Sequence, residues 1–481
     1  MVRGGRLSFR RDAPPDLWAQ SAALRAGEVS SVELVEACQT AIARHDDAVA
    51  AFIARADERA LEAARALDDE RARTGPRGPL HGIPIAVKDN IDVAGFPTTA
   101  GSALRGDEPA ASEDAPLVAG LRAAGAVFVG KTNLDEFAYG FTTQNPHFGA
   151  TANPWDRSRV AGGSSGGSAV ALALGMCSAA VGTDTNGSVR VPASLCGLVG
   201  LRPSYGRVSL RGIVPLAASY EQAGPLAHSA RDAALLLQAM AGYDPGHPTS
   251  RDVEVPDYAA AMAGFDGPFT IGVARSFFAE ADAAVLDCVE TALARLSEAA
   301  GAQLRVSTVE LVTARAGRGA AGDITSIESA DAVPDDALDD PRLGTVARER
   351  LSTRVSVSPE SLRRARETAV EVRTELLGAL AGVDALATPT CPILAPRPEE
   401  ADRPSRVPGR NIGRYLGEYT ATFGLAGLPS LSVPCGVSSE GLPVGLQLVG
   451  RPFEEAALLA LAQAIEDALG IVNLRSPLTV A

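Results

Sequence analysis

Residues 162–197 read GGSSGGSAVALALGMCSAAVGTDTNGSVRVPASLCG. On composition the opening GGSSGGS could be a flexible linker. It runs directly into the apolar SAVALALGM (168–176), which reads as a helix, and then into SAAVGTD (178–184), which reads as a strand. A second turn leads to another helix near Val189. Linkers do not sit between core elements, so these glycines serve close backbone approach and unusual dihedrals. The alternation continues in both directions. IPIAV (83–87) reads as a strand, PLVAGLRAAGA (116–126) as a helix and VFVG (127–130) as a strand. It returns at VDALATPT (383–390), LPSLSVPCG (428–436) and GLPVGLQLVG (441–450). Helices between nearly continuous apolar strands predict an α/β sandwich around a largely buried sheet.

The flanks are simpler. Residues 16–72 read as two helices, with capping-box spacing from Ser30 to Glu33 and Val32, Leu34, Val35 and Cys38 at helical intervals. Residues 310–345 are polar, Gly-bearing and acidic, which reads as a long excursion over the surface, before an arginine-rich helix at 361–380. No internal repeat is visible. The 481 residues are 46 % hydrophobic and 21 % charged, as in a soluble globular protein. A net charge of −14 argues against nucleic acid as a main partner. No run approaches the ~20 apolar residues that span a bilayer. Arg3, Arg6, Arg10 and Arg11 precede DAPPDLWAQ without the apolar segment of a secretory signal, so a cytoplasmic location is expected. The six cysteines and five histidines are scattered, supporting neither a disulfide framework nor a metal site.

Lysine occurs only at 88 and 131, against 42 arginines. Arginine cannot give up its proton in a protein, whereas burial lowers a lysine's pKa and frees it to act as a base. Lys88 closes the apolar run IPIAVK and is therefore a candidate general base; the alternative is a strand-end lysine paired with Asp89. Lys131 has Asp135 four residues on, the spacing of a local helical pair, and reads as structural. Ser188 sits at a strand-to-helix junction where successive N–H groups point one way, as an oxyanion hole requires. Losing one such donor typically costs ~3 kcal/mol of transition-state stabilisation. An ordinary N-cap serine is the alternative. Cys196 is a rival nucleophile, although a small buried Cys on a helix is commoner.

The segment 82–206, with ALATPT and GLPVGLQLVGRPFEEAALLALA further on, resembles the amidase signature family of serine hydrolases. The resemblance implies a three-layer α/β/α fold whose large, twisted, mixed sheet is covered by helices on both faces. The catalytic domain would span 80–481, with a helical part at 1–80 and a variable pocket excursion near 300–380. It also implies a Ser–cis-Ser–Lys triad: Ser188 as nucleophile, Ser164 as relay after a cis Gly163–Ser164 bond, and Lys88 as terminal base. The N–H groups of Thr185, Asn186, Gly187 and Ser188 would hold the oxyanion. Tyr139 matches a pocket-lining position, Ser164 would also touch substrate, and Asp184 with Arg190 reads as a buried supporting pair. The implied activity is cleavage of a non-peptide C–N amide bond in a small molecule through an acyl-enzyme, without cofactor. A homodimer or a small accessory subunit would be compatible partners.

Two departures bear on the substrate. Many members carry Gly-Gly-Ser where this chain has Asn186-Gly187-Ser188. The A subunit of the glutamine-dependent aminoacyl-tRNA amidotransferase tends to carry Gln where Val191 stands, although KTNLDEFAYG (131–140) is similar to the corresponding region there. DEFAYGFTTQN together with TDTNGSVRVPASLCG looks closer to the 1-carboxybiuret hydrolase branch, which acts on urea-like amides. Asn186 could donate to a second substrate carbonyl, or stand there because Asn tolerates positive φ.

Overall fold

The apolar runs build the strands of a central sheet in the computed structural model, which describes residues 16–265, 267–299, 304–333, 335–471 and 474–480. The arginine-bearing stretch at positions 3–11 lies outside the described residues. The strands are β1 (Phe52–Arg55), β2 (Pro84–Lys88), β3 (Val127–Thr132), β4 (Gln144–Asn145), β5 (Gly149–Ala150), β6 (Ala179–Asp184) and β7 (Val199–Arg202). They continue with β8 (Gln222–Ala227), β9 (Phe269–Val273), β10 (Leu304–Thr308), β11 (Ala385–Pro389), β12 (Ser430–Val437) and β13 (Pro443–Val449). Among the described residues, eleven form one sheet in the order β1-β3-β2-β6-β8-β7-β12-β13-β11-β9-β10, and β4 pairs with β5. The sheet is mixed: β2 runs parallel to β3 and β6, whereas β8 and the pairs around β12 and β13 are antiparallel. Every residue of β2, β3, β6, β8 and β13 is buried, which requires helices on both faces. This is the α/β class expected. Among the described residues, no helix is long and apolar enough to cross a membrane.

Two local readings change. The stretch 16–72 holds three helices, Leu17–Ala26, Ser31–Val49 and Asp57–Thr74, and between the last two β1 joins the sheet edge antiparallel to β3. Its four residues are too few to show a period. The Ser30–Glu33 capping box forms as read, Ser30 Oγ accepting from the Glu33 N–H at 3.1 Å. The stretch 310–345 is no surface loop. It contains the fifteen-residue helix Ala314–Glu328, whose Gly317 approaches Thr422 so closely that a Cβ would lie 2.9 Å from Thr422 Cγ2. Gly317, which resembles loop composition in the sequence, here permits helix packing.

Register positions the site. Val87 lies opposite Val181 in the parallel β2–β6 pair, so both strands end at the same edge with Lys88 and Asp184 as their last residues. Ligands of α/β sheets bind beyond such carboxyl ends.

Candidate active site

Lys88 is fully buried, and its Nζ lies 2.8 Å from both Ser164 Oγ and Thr183 Oγ1. Asn90 Nδ2 also donates to Thr183 Oγ1, at 3.1 Å. No carboxylate among the described residues bonds the amine directly. The Asp89 alternative fails, because Asp89 Oδ1 is 2.8 Å from Lys131 Nζ. Lys131 is thus structural but paired with Asp89 and not Asp135. It lies in a strand, where an i,i+4 spacing does not bring side chains together. Burial pulls the Lys88 ammonium down from 10.5 to about 8, against the opposing charges of Glu221, Asp135 and Asp184.

Ser164 follows a cis Gly163–Ser164 bond, as the resemblance implies. Gly163 has no room for a side chain: a Cβ would lie 2.2 Å from Asp135 Oδ2, which accepts from the N–H groups of Thr142 and Thr143. The Ser165 N–H donates to the Ser188 carbonyl at 3.2 Å, lacing the two serine turns together. Ser188 lines a cavity of about 250 Å³ with Tyr139, Phe141, Asn186, Thr325 and Ser326 among its neighbours.

The turn that carries Ser188 is held from below by Asp184. Its Oδ1 accepts from the Gly187 N–H at 2.9 Å and its Oδ2 from the Val189 N–H at 3.2 Å. Arg190 meets the same carboxylate through Nε at 2.9 Å and Nη2 at 2.8 Å, and both residues are fully buried. Burial raises the Asp184 carboxyl, but Arg190, Arg202 and these hydrogen bonds outweigh it and hold it below the usual range. Of the four amides expected in the cradle, that of Gly187 donates to Asp184. The amides of Thr185, Asn186 and Ser188 donate to no acceptor among the described residues. Asn186 does not supply positive φ either, because Gly187 carries it at 128°. The Asn186 side chain is clamped instead, donating to Thr325 Oγ1 at 3.0 Å and accepting from Tyr220 OH at 3.1 Å. Tyr139 lines the cavity, its hydroxyl 3.2 Å from Ser326 Oγ.

Sequence reading missed Thr183, although it precedes the last residue of an apolar strand neighbouring β2. It also missed a site role for the buried Asp135 and Glu221. The cavity wall from helix Ala314–Glu328 and Arg350 falls within the pocket excursion expected near 300–380, whereas Arg410 and Arg414 lie beyond it. No local pattern marks those wall residues.

An amidase family model matches residues 33–459. The chain belongs to the amidase signature family. The A subunit of the glutamyl-tRNA(Gln) amidotransferase of Chloroflexus aurantiacus is 40 % identical over 479 residues, covering 93 % of this chain and 95 % of that one. A chain from an inhibitor-bound vestigial complex, described as revealing the evolutionary origins of an s-triazine catabolic enzyme, superposes with a TM-score of 0.90. It is 34 % identical and covers 96 % of this chain and 100 % of its own. The A subunit of the Thermotoga maritima glutamyl-tRNA(Gln) amidotransferase superposes at 0.79 with 32 % identity, covering 98 % and 96 %. This amidase is therefore a C–N bond enzyme of the signature type. Placement in the 1-carboxybiuret branch does not follow from these matches.

Proposed function

We propose that this chain cleaves the C–N bond of a small amide through a serine acyl-enzyme carried by Ser188, Ser164 and Lys88. One observation carries the reading: the sealed amine of Lys88 stands 2.8 Å from the hydroxyl of Ser164, beside the nucleophile turn. Neutral Lys88 accepts the Ser164 proton as Ser164 accepts that of Ser188, whose Oγ attacks the amide carbon. The tetrahedral oxyanion faces the free N–H groups of Thr185, Asn186 and Ser188. As the C–N bond breaks, the proton returns through Ser164 to the leaving nitrogen, giving ammonia or an amine. Water, deprotonated by the same relay, then releases the acid and restores Ser188.

The setting of this chemistry is a second question. Identity of 40 % to an amidotransferase A subunit, together with KTNLDEFAYG, supports glutamine as the amide and partner subunits that pass ammonia to a charged tRNA. A urea-like amide keeps support from the TM-score of 0.90 to the s-triazine-linked chain. That neighbour also belongs to a protein complex, which supports an accessory subunit in either setting. The amidotransferase reading has the broader support. The test is ammonia release by the purified chain on glutamine, biuret and aliphatic amides, with mass-spectrometric mapping of fluorophosphonate labelling. Label on Ser188 and loss of turnover in Ser188→Ala are expected; full activity in that variant would overturn the triad. Glutaminase activity that appears only with partner subunits selects the amidotransferase, and biuret turnover by the chain alone selects the hydrolase.

A further inference from the structure

Glu221 is fully buried immediately before β8, and the antiparallel β6–β8 pairing sets its neighbour Gln222 opposite Asp184. Its carboxylate therefore lies toward the sheet end that holds Lys88. Oε2 accepts from the Leu216 N–H at 2.7 Å, whereas Oε1 is buried and takes up no hydrogen bond among the described residues. A buried carboxylate oxygen is rarely left in that state without a reason. Burial raises the Glu221 carboxyl, while the Leu216 N–H, the charge of Lys88 and the Thr183 hydroxyl oppose that rise.

The Thr183 hydroxyl has one proton to place. Its Oγ1 takes Lys88 Nζ at 2.8 Å and Asn90 Nδ2 at 3.1 Å. Asn90 Nδ2 also reaches the Val214 carbonyl at 3.2 Å; a carbonyl only accepts, so the amide turns its nitrogen, not its oxygen, to Thr183. A hydroxyl that accepts twice still carries one O–H. Pointed at Lys88, that O–H would occupy the lone pair of the neutral amine, which could then take no proton from Ser164. Pointed at Glu221, it leaves the lone pair open. The other carboxylates that face Lys88 are engaged: Asp135 takes the Thr142 and Thr143 N–H groups, and Asp184 takes Arg190. Arg202 faces Glu221 but donates to the carbonyls of Asp184, Tyr220 and Gly424.

We propose that Glu221 is a positioning residue of this reaction: its carboxylate takes the Thr183 proton, which fixes Thr183 as an acceptor from Lys88 and keeps the amine lone pair for Ser164. This role rests on the amidase reading above, and Glu221 exercises it only through Thr183.

A chain with two lysines makes the test direct. Isotope labelling of the lysine ε-carbons gives two NMR resonances in the full chain, and the one absent from Lys88→Arg belongs to Lys88. Glu221→Gln should lower the Lys88 titration midpoint by at least about one pH unit, because a charge that favours the ammonium is gone. A smaller fall, or a rise, overturns the proposal. The rate at which a fluorophosphonate labels Ser188 reports the relay itself. In Glu221→Gln its saturating rate above the midpoint should fall at least about 10-fold, with little change in the half-saturating concentration, and Glu221→Asp should recover part of it. In a Thr183→Val background, Glu221→Gln should cost less than about 2-fold more; losses that multiply overturn the proposal. Thr183→Ser against Thr183→Val decides even if Glu221→Gln fails to fold. The hydroxyl-bearing variant should label at least about 10-fold faster, and equal rates refute the role of Thr183 and with it that of Glu221. If wild-type Ser188 takes no label, the amidase reading itself fails, whereas labelling with an unmoved Lys88 midpoint refutes Glu221 alone.

Discussion

At Lys88, burial works against the charged form. In water its ammonium would stay protonated at neutral pH, but the sealed end of β2 lowers it to about 8. The base form is the neutral amine, so kcat/KM should rise with pH through a midpoint near 8 and level off above it. A profile flat from acid to neutral pH would count against Lys88 as the base. Lys88→Arg keeps the charge but cannot release it, and should lower kcat by at least about 1000-fold with no alkaline recovery. Asp184 makes a different demand. Asp184→Asn removes one half of a fully buried ion pair and leaves Arg190 uncompensated, which should cost about 3–5 kcal/mol in a denaturant titration. Lys88 and Ser188 stood out in the sequence through rarity and a strand-to-helix glycine-serine turn, whereas Ser164 was singled out by the family resemblance. Thr183 and Asp135 were not, because an ordinary threonine and aspartate become part of the site only through the groups that close over them.

The turn from β6 into helix Arg190–Cys196 shows how an element is shaped for one task. Gly187 holds φ at 128°, and a Cβ there would lie 2.1 Å from Thr420 Oγ1. Gly187→Ala should therefore displace the nucleophile turn, reduce kcat by about 100-fold and lower stability by about 1–3 kcal/mol. Unchanged turnover would show that the turn tolerates the shift. Helix Ala314–Glu328 illustrates the opposite limit of sequence reading. ARAGRGAAGDITS carries glycines and polar residues typical of loops, which mask a buried stripe of small and apolar residues at helical spacing, Ala314, Gly317, Ala321 and Ile324. It is helical because helix Pro359–Leu380 and the short helix Ala421–Leu425 pack against it, so tertiary contacts override weak propensity. Lys131 repeats the lesson in a strand, where its partner is Asp89 on the neighbouring chain segment and not the residue four positions on.

Across the molecule one apolar core runs from Leu17 in the first helix to Leu469 near the last, so the N-terminal helices share the core that supports the site. The fold also encloses most thiols: Cys38, Cys177, Cys196, Cys391 and Cys435 are buried and only Cys288 is partly open, all six unpaired. Burial also pushes the Cys196 thiol up, contrary to what a nucleophile needs. A thiol reagent should therefore label Cys288 first in the native protein and the other five only on unfolding. Reductant should leave the melting temperature unchanged, and Cys196→Ala should retain turnover. Local patterns were enough for the α/β class, the two serine turns and the candidate base, because apolar periodicity, glycine turns and a rare lysine are properties of contiguous residues. The sheet order, the edge strand β1, the true partner of Lys131 and the arginine-lined wall depended on folding, because each joins segments distant in the chain. Their energies come from burial and charge pairing, which no contiguous stretch contains.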